Sequence, residues 1–536
     1  MVSTAPSAVA GTGETSSTLH RVIGWKDAFW VASGVPALVL FSIGGIAATV
    51  GTPSVLVWTL SVLFGFIQAF TYAEIAGLFP NKSGGASVYG AAAWVRYSKF
   101  IAPLSVWCNW LAWTPVLAIG CGIAAGYILT ALFPAEAAIR TWEIQLVDLS
   151  FFKEGLGLRL NSTFFIGAIL MLISFGIQHR GILSTAKVQT IVGASVLLPL
   201  LIIGIVPLIT GDVSMKAFEP FAPGTDIGTA AWDKAGWTLF FGGLFIAAWS
   251  AYAFETAICY TSEFRNPATD TYKAILYSGL LCIAVYVLVP LSFQGALGLA
   301  GVMAPGIVDG SGVAQAMASM VGGGALVTNL LVVMLILALM LAITTAMAGS
   351  SRTLYQGSVD GWLPRYLSRV NQNGAPTSGM ATDLAFNLIL LLMSDYLFVL
   401  AVSNVCYIVF NFLNLNAGWI HRIDNAHVKR PWKAPTVLLA AGVVLAFVNA
   451  FLLGAGAEVW GSGTLVAGAI AIGLVIPVFI FRHFIQDKGV FPPQMLADLS
   501  VDGGTSIGRP KAGMLPYVAL AGGVLSATVA YVIFWT

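Results

Sequence analysis

Apolar residues fill this chain in long blocks, parted by short polar or glycine-rich stretches. Thirteen blocks can be read, at about 27–50, 54–78, 99–132, 161–178, 184–210, 236–262, 272–298, 323–356, 377–394, 397–421, 434–455, 463–482 and 514–535. At about 1.5 Å of rise per residue, roughly 20 residues of helix cross the hydrocarbon core of a bilayer, so each block predicts a membrane-spanning helix. Two of the blocks are interrupted near their middles. The first reads Trp30-Val31-Ala32-Ser33-Gly34-Val35-Pro36 and the sixth reads Trp249-Ser250-Ala251-Tyr252-Ala253-Phe254-Glu255. Hydrocarbon holds no water to satisfy freed backbone groups, so a broken helix at that depth must be covered by protein or face a water-filled cavity. A matched pair, one in each half of the chain, points to a central binding site of the kind transporters use.

The blocks also predict topology. Placing every Lys and Arg on one side of thirteen spans leaves Arg140, Lys153, Arg159, Lys216 and Lys234 opposite the N terminus and the other 20 of the 25 beside it. By the positive-inside rule the N terminus is cytoplasmic, and an odd number of spans puts Thr536 outside. Residues 1–24 read as a disordered cytoplasmic tail, rich in Ser, Thr, Ala and Gly and without the apolar stretch of a cleaved signal. Spans one to five occupy 25–210, spans six to ten 236–423, and spans eleven and twelve 434–482; residues 483–513 form a polar cytoplasmic linker, read as a flexible tether to a last span at 514–536. Because five is odd, the two sets of five enter the membrane from opposite sides, which is an inverted repeat.

Each break carries its own chemistry. Gly34 costs about 1 kcal/mol in a helix interior and Pro36 about 3, and Pro36 also removes the donor for the carbonyl of Ala32. The amides of Ser33, Gly34 and Val35 at a helix N-terminal end suit a carboxylate, and the carbonyl of Trp30 and its neighbours suits an ammonium or a sodium ion. A proline kink that only shapes helix packing is the competing reading. The second break has no Gly or Pro between Trp249 and Glu255. Its signal is Glu255 itself, since an ionisable side chain within a span is a functional candidate by default. No Lys or Arg in the apolar blocks is an evident partner, which makes Glu255 the candidate for a proton-responsive group.

Composition narrows the classes. The chain has 536 residues, 58% hydrophobic and only 9% charged, against roughly 25% charged in a soluble domain. A formal net charge of +2 gives no reason to expect a nucleic-acid partner. The five Cys stand singly in apolar blocks and the five His fall in loops or at block ends, so neither set offers a metal or haem site within the membrane. No catalytic cluster lies in the spans; an enzyme is not expected, and no cofactor beyond a coupling ion, H⁺ or Na⁺.

From about residue 25 to about 425 the chain resembles the amino acid, polyamine and organocation superfamily of transporters. The resemblance is carried by Ala32-Ser33-Gly34-Val35, by Tyr72-Ala73-Glu74-Ile75-Ala76 with Pro80 and Ser83-Gly84-Gly85-Ala86-Ser87-Val88-Tyr89, and by Trp249 to Glu255 followed by Glu263 and Asn266-Pro267. Ser351-Arg352 with Asp360-Gly361 and Pro364 completes it. Within that superfamily, Trp249, Ser250 and Glu255 look most like the sixth-span pattern of the arginine/agmatine antiporter branch. The resemblance implies an all-α polytopic membrane protein with the leucine-transporter-like 5+5 inverted repeat, discontinuous helices 1 and 6, and about three further C-terminal spans, 12 to 13 in all. It implies that Ser33 and Gly34 bind a substrate carboxylate, that carbonyls of Trp30, Trp249 and Tyr252 bind an amino group, that the Trp249 ring gates the pocket and that Glu255 responds to pH. Leu117 lies where the branch has a polar residue that reads arginine, and Val196 near the place of a fifth-span Lys used by some proton-coupled members.

The expected activity is secondary active transport of an amino acid or related amine across the cytoplasmic membrane, by alternating access coupled to protons or to exchange. A sodium symporter is the alternative, with Ala32, Thr344 and Thr345 as the candidate ion site; a channel or a transporter-like receptor is the alternative of another class. Trp30, Trp113, Trp249 and Tyr252 are candidate aromatic walls, Val35 and Ser250 candidate pocket residues, and Glu74 a candidate gating or capping carboxylate. One carboxylate among several aromatics favours a neutral or aromatic amino acid or a monoamine over a dibasic substrate or polyamine. The partners expected are that small molecule and the lipid bilayer, with the oligomeric state left open, a homodimer included.

Overall fold

The computed structural model describes residues 19–226, 228–308, 310, 312–499 and 508–536. Most of the expected N-terminal tail and residues 500–507 of the linker lie outside them. Among the described residues, twelve helices are long and apolar enough to cross a membrane. They are the first span Trp25–Val50, the second Ser54–Ala76, the third Ile101–Leu132, the fourth Ser162–His179, the fifth Ile182–Thr210, the sixth Lys234–Glu263, the seventh Pro267–Val302, the eighth Ala325–Val359, the tenth Tyr396–Asp424, the eleventh Thr436–Trp460, the twelfth Thr464–Gln486 and the last Leu515–Trp535.

The block at 377–394 is the exception: it forms a helix of only 14 residues, Thr377–Leu390. Its chain nevertheless runs between the same two ends as the fourth span. At one end the carbonyl of His179 accepts from the Asn371 amide at 2.7 Å. At the other, the carbonyl of Leu392 accepts from the amide of Arg159 at 2.7 Å and Ser394 donates to Gly157. The helix stops early because residues 392–394 join the edge of a small antiparallel hairpin, Glu143–Asp148 with Gly157–Asn161, which lies in the loop before the fourth span. We call Thr377–Leu390 the ninth span.

Burial grades the spans. In its most apolar stretch the first span is 94% buried and the sixth and tenth 78%, whereas the last is 11% buried. The core is therefore built on the first, sixth and tenth spans, with the second packed along the seventh and the third along the eighth and tenth. Each break has a local cause. The first span is helical over Trp25–Val31, turns at Gly34, tightens into a 3₁₀ stretch at Pro36–Phe41 and resumes as helix over Ile43–Val50. The sixth is helical over Lys234–Ala251 and continues as 3₁₀ turns over Ala253–Ile258 and Thr261–Glu263. There the hydroxyls of Ser250, Thr256 and Thr261 each bond the carbonyl three residues earlier, at 2.9–3.3 Å, a spacing that suits the tighter 3₁₀ winding. The third span is broken too, between Ile101–Trp113 and Val116–Leu132, at Thr114 and Pro115.

The polar ends of the bundle are tied by ion pairs. On one end Glu74 accepts from Arg422 at 2.7 and 3.0 Å and lies 3.0 Å from Arg430, Lys82 meets Asp360 at 2.5 Å, and Arg352 holds Glu263 with both partners buried. The other end carries Lys153 with Asp395 and Arg159 with Glu143. The linker is not a loose tether where it is described. Asp487 takes Arg365 and Arg482, and Phe491, 5% exposed, packs on Trp362 and His483 at ring separations of 5.2 and 4.4 Å. Arg365 and Trp362 come from more than 100 residues away in sequence, which composition cannot report, so the segment reads as a flexible tether from sequence alone. Replacing Phe491 with Ala is expected to free this segment, read as faster limited proteolysis at residues 487–499 with uptake measured in parallel; wild-type cleavage kinetics would show that the ring adds nothing to docking.

Candidate functional site

At the first break the backbone pays its own hydrogen bonds only in part. The amide of Ser33 donates to Trp30 and that of Val35 to the carbonyl of Ala32, each at 3.1 Å. Hence Ala32, expected to lose its partner to Pro36, has regained one through a tighter turn. Among the described residues Gly34 N–H has no backbone acceptor. Ser33 Oγ donates to the same Trp30 carbonyl at 2.6 Å, so both lone pairs of that carbonyl are engaged.

The break rests against the eighth span. A Cβ on Gly34 would lie 2.5 Å from Thr345 Oγ1, 2.6 Å from the Leu341 carbonyl oxygen and 2.7 Å from Ala342 Cα. Thr345 Oγ1 donates to the carbonyl of Val31 at 2.7 Å. Into the same corner reaches Gln189 of the fifth span, whose Nε2 donates to Thr345 Oγ1 at 2.9 Å and to the Leu341 carbonyl at 3.2 Å. Thr344 turns the other way: its hydroxyl donates to Met340 and meets Ser174, and its carbonyl accepts from Gln178 of the fourth span. The two threonines thus do not converge on one ion.

At the second break Trp249 is buried and its Nε1 donates to the Ala112 carbonyl and to Ser403 Oγ, both at 2.9 Å, with Phe41 of the first span beside its ring. The Ser403 hydroxyl donates to the Ala112 carbonyl at 2.8 Å and lies 3.2 Å from the carbonyl of Leu111, which Pro115 deprives of a helical donor. Glu255 is fully buried. Its Oε1 accepts from Trp113 Nε1 at 2.9 Å, whereas its Oε2 has no hydrogen-bond partner among the described residues. Asn109, one turn before Trp113, turns its amide toward the same carboxylate without closing a hydrogen bond. Tyr407 of the tenth span stacks edge-on against Trp113 and leaves its hydroxyl unpartnered.

One residue bridges the two breaks. Tyr286, buried in the seventh span, directs its hydroxyl to the carbonyls of Val35 at 2.9 Å and of Ser250 at 3.2 Å. One carbonyl from each broken span thus meets the same side chain.

The structure therefore sets Gly34 against Thr345, joins Val35 to Ser250 through Tyr286, and joins Trp113 to Glu255 with Trp249 bonded to the neighbouring Ala112. It sets others apart. The Trp30 ring and Ser33 Oγ lie against Gly193 of the fifth span, and Trp30 is partly exposed there. Tyr252 packs on Gly65 of the second span and donates to Asn449 of the eleventh at 3.1 Å. Glu74 stays at the charged end with its two arginines. Sequence reasoning passed over Tyr286, Gln189, Asn109, Ser403 and the Thr114-Pro115 break. Polar side chains inside apolar blocks, and the proline, were the signals available for them.

Comparison with known proteins agrees with this arrangement at the level of family. Residues 23–476 match the family model described as amino acid permease. The chain is 24% identical over 474 residues to the polyamine transporter PUT1 of Oryza sativa subsp. japonica, spanning 86% of this chain and 77% of that protein. It is 26% identical over 381 residues to an uncharacterized transporter of Legionella pneumophila subsp. pneumophila, spanning 69% of this chain and 72% of that protein.

Proposed function

The chain belongs to the amino acid permease family, and from that premise we propose a secondary active transporter that moves an amino acid or related amine by alternating access, driven by protons or by exchange. The observation that carries the reading is the free Oε2 of Glu255, buried beside the second break and walled by Trp113 and Tyr407. A carboxylate in that setting accepts a proton or an ammonium group, and the aromatic faces favour the cation over water. One carboxylate suits a neutral amino acid or a monoamine; a polyamine brings several ammonium groups and would need more.

The first break supplies the complementary end. Gly34 N–H, unclaimed by backbone, is the group we assign to a substrate carboxylate. The pairing of the second span with the seventh and of the third with the eighth supports a 5+5 repeat, and the bias of 20 of the 25 Lys and Arg to the side of the N terminus supports a cytoplasmic N terminus; the cytoplasmic membrane is the location we propose.

Gln189 speaks against the sodium alternative. Its amide hydrogens point at Thr345 Oγ1 and the Leu341 carbonyl, so the oxygens that a cation at this corner would take already face a neutral donor. Uptake is accordingly expected to persist when sodium is replaced by choline. Loss of uptake under that exchange would restore the sodium reading.

The reaction itself is tested by counterflow. Proteoliposomes preloaded with unlabelled amino acid or amine should accumulate the labelled compound above equilibrium, transiently and saturably. A channel gives no trans-acceleration and a receptor no accumulation, so either result would overturn the proposal.

A further inference from the structure

A second buried carboxyl, Asp383 of the ninth span, has no place in the site described above. It is fully buried, and three donors converge on it: Trp110 Nε1 at 2.6 Å and Thr114 Oγ1 at 3.1 Å on Oδ1, and Ser350 Oγ at 2.6 Å on Oδ2. One turn on, Asn387 donates to Thr114 Oγ1 at 2.6 Å and accepts from the amide of Ala118 at 3.1 Å. Every one of these contacts to the third span falls within a turn or so of its break at Thr114 and Pro115. Asp383 therefore ties down the side chains of Trp110 and Thr114 beside the break, and Asn387 takes the Ala118 amide, whose usual helical acceptor, the Thr114 carbonyl, is occupied by Leu117.

The residues immediately before that break are the ones that touch the transport site. Trp113 donates to Glu255, and the carbonyl of Ala112 accepts from Trp249. Two adjacent residues thus join the candidate proton acceptor to the candidate gate, and their positions depend on how the chain turns at Pro115. We propose that Asp383 is a positioning residue which fixes the third-span break, and that this break transmits the protonation state of Glu255 to Trp249. The proposal rests on Glu255 being the proton-responsive group.

The surroundings of both carboxyls are consistent with action through geometry. Among the described residues, the groups around Asp383 are an indole, hydroxyls and an amide, none of them titratable in the working range. Glu255 is faced by Tyr72 of the second span, by Tyr407 of the tenth and by Cys259 and Tyr260 of its own segment. Arg352 of the eighth span lies 5.4 Å over the Tyr260 ring and is held by Glu263.

The test uses the full-length protein in proteoliposomes, with uptake measured against pH. Asp383→Ala removes the acceptor for three buried donors and is expected to move the midpoint of the pH profile and to raise KM severalfold. Asp383→Asn keeps an acceptor for Trp110 and Thr114 and offers its amide to Ser350, so it should restore the wild-type profile. Pro115→Ala returns a backbone donor to Leu111 and is expected to shift the profile in a chain that keeps all its carboxyls, which decides the matter if Asp383→Ala fails to fold. A wild-type pH midpoint and KM in both Pro115→Ala and a folded Asp383→Ala would overturn the inference. A profile already flat in Asp383→Asn would assign Asp383 a proton of its own and overturn it equally. If Glu255→Gln leaves the pH profile unchanged, the failure lies instead in the reading of Glu255.

Discussion

Gly34→Ala is expected to lower uptake by roughly one to two orders of magnitude while the protein still inserts and folds. The reason is space. The added methyl would sit 2.5–2.7 Å from Thr345 Oγ1, the Leu341 carbonyl and Ala342 Cα, and two of those three atoms are backbone of the eighth span, which no rotamer change can move. Overpacking of this kind costs about 1–3 kcal/mol, equivalent to a shift of about 5- to 150-fold in the balance between the arrangement described here and one in which the first span stands off the eighth. In the proposed alternating-access cycle the first span moves between these two arrangements, so biasing one depresses turnover. Gly45→Ala in the same span is the control. Its methyl would meet only the ends of Leu397 and Trp460 at 3.6–3.8 Å, which is ordinary contact, and near-wild-type uptake is expected. Equal uptake by both variants would show that the approach of Gly34 to Thr345 is not part of the working cycle.

That contrast also marks what was legible beforehand. Gly34 and Pro36 announce a break because each disfavours helix through its own backbone chemistry, and the structure places the turn there. The second break is written differently. Nothing between Trp249 and Glu255 forbids a helix, and the chain tightens because hydroxyls at i−3 spacing and the Tyr286 hydroxyl take up its carbonyls. Such causes arise in tertiary packing and leave only a polar residue in an apolar block as their trace. The same holds for Gln189, whose amide matters because Thr345 and Leu341 lie opposite it. Periodicity cannot report a partner more than 150 residues away.

The third span is the single crossing that its apolar block predicts, but hydropathy does not show the interruption at Pro115, whose missing N–H leaves the Leu111 carbonyl without a helical donor. The Ser403 hydroxyl of the tenth span lies 3.2 Å from that carbonyl, with the Ala112 carbonyl nearer at 2.8 Å. The length of the ninth span was over-read for the opposite reason: Leu391 and Leu392 extend the apolar run, but the backbone there pairs with the hairpin loop. Hydropathy counts side chains, and at both places the backbone decided.

Glu255→Gln is expected to flatten the pH dependence of uptake. The wild-type carboxylate has one oxygen on Trp113 and one that is unpartnered, so the form that carries a proton on Oε2 gains a donor where the ionised form has none. A glutamine at this position reproduces the protonated form: its carbonyl oxygen accepts from Trp113, and its amide is a permanent neutral donor at the place of Oε2. The variant should therefore behave at every pH as the wild type does when acidified. A single titrating group changes a population by up to about tenfold per pH unit across its transition, and the residual slope in the variant is expected to stay below about twofold per unit. The sign follows. If proton binding to Glu255 favours uptake, the variant is as fast at alkaline pH as the wild type is at acidic pH; if it favours release, the variant is uniformly slow. Either result leaves Glu255 as the switch. A variant that keeps the full wild-type pH profile would place the titrating group elsewhere, and Asp383, held by three donors on the far side of the same broken span, would then be the next carboxyl to neutralise.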